Sequence, residues 1–219
     1  GEALRGDGRA PGFCASLWGL GGVGKTALAL EHAYRALDEG SYPCGVFWLP
    51  AEGQPLDAMV RLAGILRRHG LVDVPTPAPA VDLASAARRA LSALPAPSLL
   101  VLDDVSEIGF GAQLPGGQAR VLITTRDRRL ALGKLVDLDV LPGDDARRLA
   151  IDLVGGPPEG EEEAAALGRV VEARLGGLAV AIEVAACAVR DWAHDWVAYE
   201  RHLAGQPEQA LEEPARGDH

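Results

Sequence analysis

Within eight residues the chain places four glycines, a lysine and a threonine, as Gly19-Leu-Gly-Gly-Val-Gly-Lys-Thr26. The spacing is GxxxxGK[ST], and its chemistry is phosphate binding. Gly19, Gly21, Gly22 and Gly24 admit positive φ and carry no side chains. Successive backbone N–H groups from Gly19 to Ala27, that of Val23 included, can therefore face one phosphate. A helix expected to begin near Lys25 adds its positive N-terminal end at the same point. Lys25 would reach the β- and γ-phosphates, and the Thr26 hydroxyl would ligate Mg²⁺. The chain has two lysines, Lys25 and Lys134, and writes its other basic side chains as Arg. Lys25 therefore stands out at this position.

Two further apolar runs end in groups suited to the same chemistry. Ser98–Leu102 reads as a buried strand closing on Asp103 and Asp104. Such a strand delivers a carboxylate to a Mg²⁺ shell, which assigns Asp103 to the metal and Asp104 to the attacking water. Val121–Thr125 closes on Arg126. From that strand end a hydroxyl of Thr125 and the planar guanidinium of Arg126 can meet a γ-phosphate, and Arg126 can report its presence. The candidate catalytic groups are thus Asp104, Lys25 and Arg126.

Other chemistry finds little support. The five histidines show no ligand spacing, and His194, between Trp192 and Trp196, reads as part of a helix-packing cluster. Glu161–Glu163 reads as a helix N-terminal charge run. Cys14, Cys44 and Cys187 are far apart in apolar runs, which fits reduced, buried thiols of a cytoplasmic protein. A net charge of −10 argues against a nucleic-acid or anionic-membrane surface. The most apolar stretch, Leu178–Val189, is too short to span a membrane and contains Glu183.

The elements that must position these groups alternate. Strands are expected at Phe13–Trp18, Cys44–Leu49, Ser98–Leu102, Val121–Thr125 and Leu135–Leu141, with helices at Ala27–Leu37, Leu56–Arg68 and Leu83–Leu94 between them. That alternation predicts a parallel sheet with right-handed crossovers. Beyond Pro142 only helical patterns remain, at Asp144–Val154, Glu161–Leu175, Leu178–Arg190 and Trp196–Leu203. The expected domains are an α/β nucleotide-binding domain over residues 1–142, a helical subdomain over 143–205, and a disordered tail over 206–219.

The combination GLGGVGKT, LLVLDD, LITTR and Leu175-Gly-Gly-Leu-Ala-Val-Ala181, with the Leu141-Pro-Gly-Asp-Asp-Ala146 entry to the helical part, resembles the NB-ARC branch of the STAND P-loop NTPases. A GTPase needs NKxD to read guanine, and a chain without asparagine lacks it. Partitioning ATPases carry a lysine where this chain has Leu20. The resemblance covers about Phe13 to Leu203 and implies a sheet of order 2-3-4-1-5 with helices on both faces. It implies an ATP/ADP switch with slow Mg²⁺-dependent hydrolysis, a closed ADP state and an open ATP state that self-associates. Effector and sensor domains are expected outside this chain, as are the winged helix and the adenine cover. The family's nucleotide-contacting proline is replaced here by Ala179. Expected partners are adenine nucleotide and a second copy, with neither nucleic acid nor membrane. A dedicated ATPase, a small-molecule kinase and a non-hydrolysing scaffold are the alternatives.

Overall fold

The computed structural model describes residues 13–75 and 77–205. The tail expected over 206–219 lies outside the described residues. Contacts divide the chain into two compact units. Among the described residues one holds 13–21 together with Lys25–Leu138, and the other holds Gly22–Gly24 and residues 139–205.

The first unit is a five-stranded sheet of β1 (Phe13–Gly19), β2 (Val46–Pro50), β3 (Ser98–Val105), β4 (Ala119–Thr125) and β5 (Lys134–Leu138). Its order is β2-β3-β4-β1-β5, with every pair parallel. The acidic strand β3 is therefore separated from the loop strand β1 by β4. Helix α1 (Lys25–Asp38) connects β1 to β2, and α2 (Pro55–Arg68) and α3 (Ala80–Ser92) connect β2 to β3, while short 3-10 turns lie between β3, β4 and β5.

The period-2 alternation of the strands divides the core into two layers. Leu99 and Val101 of β3, with Leu122 of β4, pack with Ala29, Ala33 and Ala36 of α1. Leu100, Leu102, Val121 and Ile123 face the opposite way, among Met59, Leu62 and Leu66 of α2 and Ala87 and Leu91 of α3. Leu99, Leu100, Val101 and Leu102 are all fully buried. Each contributes about 1.5–3 kcal/mol on burial, which offsets ordering of the strand. The small side chains along α1 recur at helical spacing and let that helix lie close on the sheet. Pro55 opens α2 at its first turn, with Asp57 near the positive end and Arg67 and Arg68 near the negative end.

Strand β5 stops at Leu138, short of the expected Leu141. The Asp139 carboxylate accepts the Val140 N–H at 2.8 Å, a local turn bond that takes the place of a ladder bond.

The second unit is helical between Gly143 and Gly205. It contains α4 (Gly143–Val154), α5 (Gly160–Gly168), α6 (Ala179–Ala188) and α7 (Trp196–Gly205), and π-helical turns continue α5 through Arg174 and α6 through Ala193. Its core gathers Ala146, Ala150, Val170, Val171, Ile182, Ala185, Trp196 and Tyr199. The Glu163 carboxylate accepts the Trp196 N–H at 3.2 Å, satisfying an orphan donor at the start of α7. Arg169 holds Glu200 through two bonds of 2.7 Å. The aromatic cluster forms from Trp192, Trp196, Tyr199 and His202, with Trp192 and His202 centroids 4.7 Å apart. His194 instead takes a left-handed turn at φ 66° and donates its N–H to Val189, so its backbone ends the helix. Among the described residues no helix is long and apolar enough to cross a membrane.

Candidate functional site

Gly19 closes β1, and α1 begins at Lys25, so the glycine loop is a strand-to-helix turn. Gly22 at φ 76° and Gly24 at φ 103° use the left-handed backbone that only glycine adopts cheaply. Gly21 keeps an ordinary φ. A Cβ placed on it would stand 3.6 Å from Arg126 Nη1, which sets the Arg126 guanidinium over the loop. Val23 is buried, while Thr26 and Ala27 are exposed.

Lys25 is only 7% exposed, which is low for a lysine. Its Nζ donates to the Gly19 carbonyl at 2.9 Å and the Leu20 carbonyl at 2.7 Å. Two of its three donors thus brace the loop, leaving a third N–H for an anion. Burial pushes its pKa below the ordinary lysine value, and Arg126 acts in the same direction. Asp104 and Asp103 act against them. A phosphate beside Lys25 would counter both burial and Arg126 by favouring the charged ammonium.

Alternation along β3 already turns Asp103 toward α1, and Asp104 reaches the loop because β3 is irregular at its end. Leu102 pairs with Ile123, but Val105 pairs with Thr125, so three steps along β3 match two along β4. This is a β-bulge. By strict alternation Val105 would share the α1 face with Leu99, Val101 and Asp103, yet it packs in the α2/α3 layer. The extra residue is Asp104, at φ 58°, a conformation tolerated by Asp more readily than by most side chains.

The bulge sends the two carboxylates to different partners. Asp103 Oδ1 accepts from the Thr26 hydroxyl at 2.9 Å and from the Thr124 hydroxyl at 2.6 Å. Asp104 Oδ2 accepts from Arg126 Nη2 at 3.2 Å. Lys25, Thr26, Asp103, Asp104 and Arg126 are therefore brought together at the ends of β1, β3 and β4.

These residues fit a hard divalent cation. Thr26 donates its hydroxyl proton to Asp103, so its oxygen lone pairs can face an ion, and Asp103 supplies the carboxylate. Among the described residues no trio of His, Cys, Asp or Glu gathers into a cage. A Mg²⁺ here would complete its shell with phosphate and water oxygens, as Mg²⁺ ordinarily does.

Thr125 departs from its expected place. It is fully buried, and its hydroxyl donates to the Val105 carbonyl at 2.8 Å. Strand alternation puts Thr124 on the α1 face beside Leu122 and turns Thr125 away. The pair of threonines in LITTR marked the position, but choosing between them needed the sheet's parity.

The local basic residues are engaged individually. Arg128 lies 5.5 Å over the Trp18 ring, and Arg129 pairs with Asp127. Cys14, Cys44 and Cys187 are free and half-buried. Burial pushes the Cys14 thiol up to about 12, so it is protonated at neutral pH. Ala179 belongs to the second unit, where it opens α6 after an extended Leu178 at φ −73°, ψ 118°.

No family model matches the chain. The regulatory protein AfsR of Streptomyces coelicolor is 33% identical over 188 residues, covering 81% of this chain. AfsR of Streptomyces griseus is 33% identical over 184 residues, covering 80%. The chain spans only 18% of the length of each of these curated relatives. A solved structure of the Aeropyrum pernix ORC1 protein in complex with DNA superposes with a TM-score of 0.55 at 17% identity, covering 86% of this chain and 56% of that one. That finding corrects the expectation drawn from net charge that nucleic acid is excluded, since the neighbour sharing this fold was solved on DNA. A charge of −10 is a sum over the chain and does not set the field at any one surface. Sheet order, glycine loop and structural neighbour together give the chain a P-loop NTPase-like fold.

Proposed function

We propose that this chain is an ATP/ADP-binding module of a regulatory protein, of the NB-ARC type within the STAND NTPases. The observation that carries the reading is the 2.9 Å bond from Thr26 to Asp103. It joins the helix that would hold the phosphates to the acidic strand two positions away in the sheet. The similarity to two regulatory proteins supports the regulatory context.

In this reading Lys25 and the loop N–H groups hold the β- and γ-phosphates. Mg²⁺, held by Thr26 and Asp103, would neutralise charge on the phosphate oxygens. Asp104 orients a water in line with the γ-phosphate, and Arg126 meets the charge that develops there. Turnover is slow, below about 1 per second, whereas a metabolic kinase or ATPase falls at about 1–10³ per second.

Calorimetric titration of ATP, ADP, GTP and GDP in Mg²⁺ tests the proposal. ATP and ADP should bind at least about tenfold more tightly than the guanine nucleotides, a difference of ~1.4 kcal/mol. Equal competition by GTP would contradict the adenine reading. Duplex DNA belongs in the same series, because the ORC1 protein of like fold was solved on it. A mobility shift of labelled duplex at low salt is the readout.

A further inference from the structure

One buried hydroxyl ties the two carboxylates together. Thr124 is 1% exposed, on the α1 face of β4. Its Oγ1 donates to Asp103 Oδ1 at 2.6 Å and accepts the Asp104 N–H at 2.8 Å. It therefore fills the bulge from both sides. It supplies an acceptor for the backbone N–H that the irregular ladder leaves at Asp104, and it fixes the rotamer of the carboxylate beside Thr26.

We propose that Thr124 is the positioning residue of the divalent-cation site, acting through Asp103 without touching the ion or the nucleotide. The proposal rests on the nucleotide-binding reading above. Three observations favour Thr124 over a merely structural hydroxyl. Its proton goes to the same oxygen that receives the Thr26 proton. Its lone pair holds the residue whose left-handed backbone makes the bulge. The neighbouring Thr125, whose hydroxyl bonds the Val105 carbonyl, already supplies a fastening between the two strand ends.

The test compares wild type, Thr124→Val and Thr124→Ser by ADP titration, once with Mg²⁺ and once with EDTA. Valine keeps the shape and removes the hydroxyl, while serine keeps the hydroxyl. In Thr124→Val the affinity gained on adding Mg²⁺ should fall about 10–100-fold, with affinity in EDTA unchanged. Thr124→Ser should retain the gain. If Thr124→Val does not fold, Thr124→Cys, of similar size with a weak donor, takes its place and should lose part of the gain. A full Mg²⁺ gain in the valine or cysteine variant would overturn the proposal, as would equal losses with Mg²⁺ and with EDTA. A wild-type chain that binds no nucleotide in either condition would overturn the nucleotide reading and this proposal with it. Intact Mg²⁺-dependent binding in Thr124→Val would overturn this proposal alone.

Discussion

Arg126 donates to the Asp104 carboxylate at 3.2 Å, so the arginine expected to meet a γ-phosphate is held by the acid expected to orient water. The arginine end of the pair is open to solvent, with the Arg126 side chain 66% and the Asp104 side chain 31% exposed. An exposed pair contributes at most about 1 kcal/mol, so a γ-phosphate can draw Arg126 away at small cost.

Arg126→Ala should therefore leave stability nearly unchanged and lower ATP affinity more than ADP affinity. A charge-assisted bond is worth about 1.5–3 kcal/mol, roughly tenfold to over a hundredfold in affinity. Parallel titrations of ATP and ADP provide the comparison. Equal losses for both nucleotides would mean that Arg126 does not meet the γ-phosphate.

Asp103 bonds Thr26 while Asp104, turned out of the ladder by the bulge, bonds Arg126, and the two should differ in function. Asp103→Ala should reduce Mg²⁺-dependent nucleotide binding, because it removes the carboxylate bonded to Thr26. Asp104→Ala should slow hydrolysis more than it weakens ATP binding. Single-turnover rates and dissociation constants for both variants check this. Loss of the same property to the same degree would contradict the division.

In the helical unit, Gly177→Ala should destabilise the fold. Gly177 has φ 71°, and a Cβ on it would meet the Leu141 carbonyl oxygen at 2.4 Å. Leu141 also donates its N–H to the Gly177 carbonyl at 3.0 Å. Left-handed strain alone costs about 1–2 kcal/mol for an L-residue, and the clash adds to it. A clear drop in the denaturant midpoint is expected, and an unchanged midpoint would contradict the packing.

Ala179→Pro should have the opposite sign. Ala179 opens α6, where proline's missing N–H matters least, and Leu178 before it is already extended. Restricting the unfolded chain should add about 0.4–1 kcal/mol of stability. Equilibrium unfolding in urea measures it, and a loss of stability would show that the backbone at Ala179 rejects proline.

The glycine loop between β1 and α1 was legible in the sequence because it depends on spacing within one turn. No distant contact is needed to see that Lys25 and Thr26 follow four glycines. The alternation of strands and helices was also legible, whereas the sheet order came from the family resemblance, since parallel crossovers leave strand neighbours open. What the sequence hid was parity. LITTR does not say which threonine faces α1, and LLVLDD does not show that an extra residue will turn Asp104 out of the ladder. Both depend on pairing between β3 and β4. His194 illustrates the same limit, because a left-handed helix end removed it from the aromatic cluster in which its spacing placed it.

Phosphate binding by the glycine loop can be measured by ADP titration into wild type and Lys25→Ala. A folded variant, by circular dichroism and unfolding midpoint, with affinity lowered at least tenfold is expected. That loss corresponds to about 1.4 kcal/mol or more for a missing charge-assisted bond. A folded Lys25→Ala variant that binds ADP as tightly as wild type would contradict it.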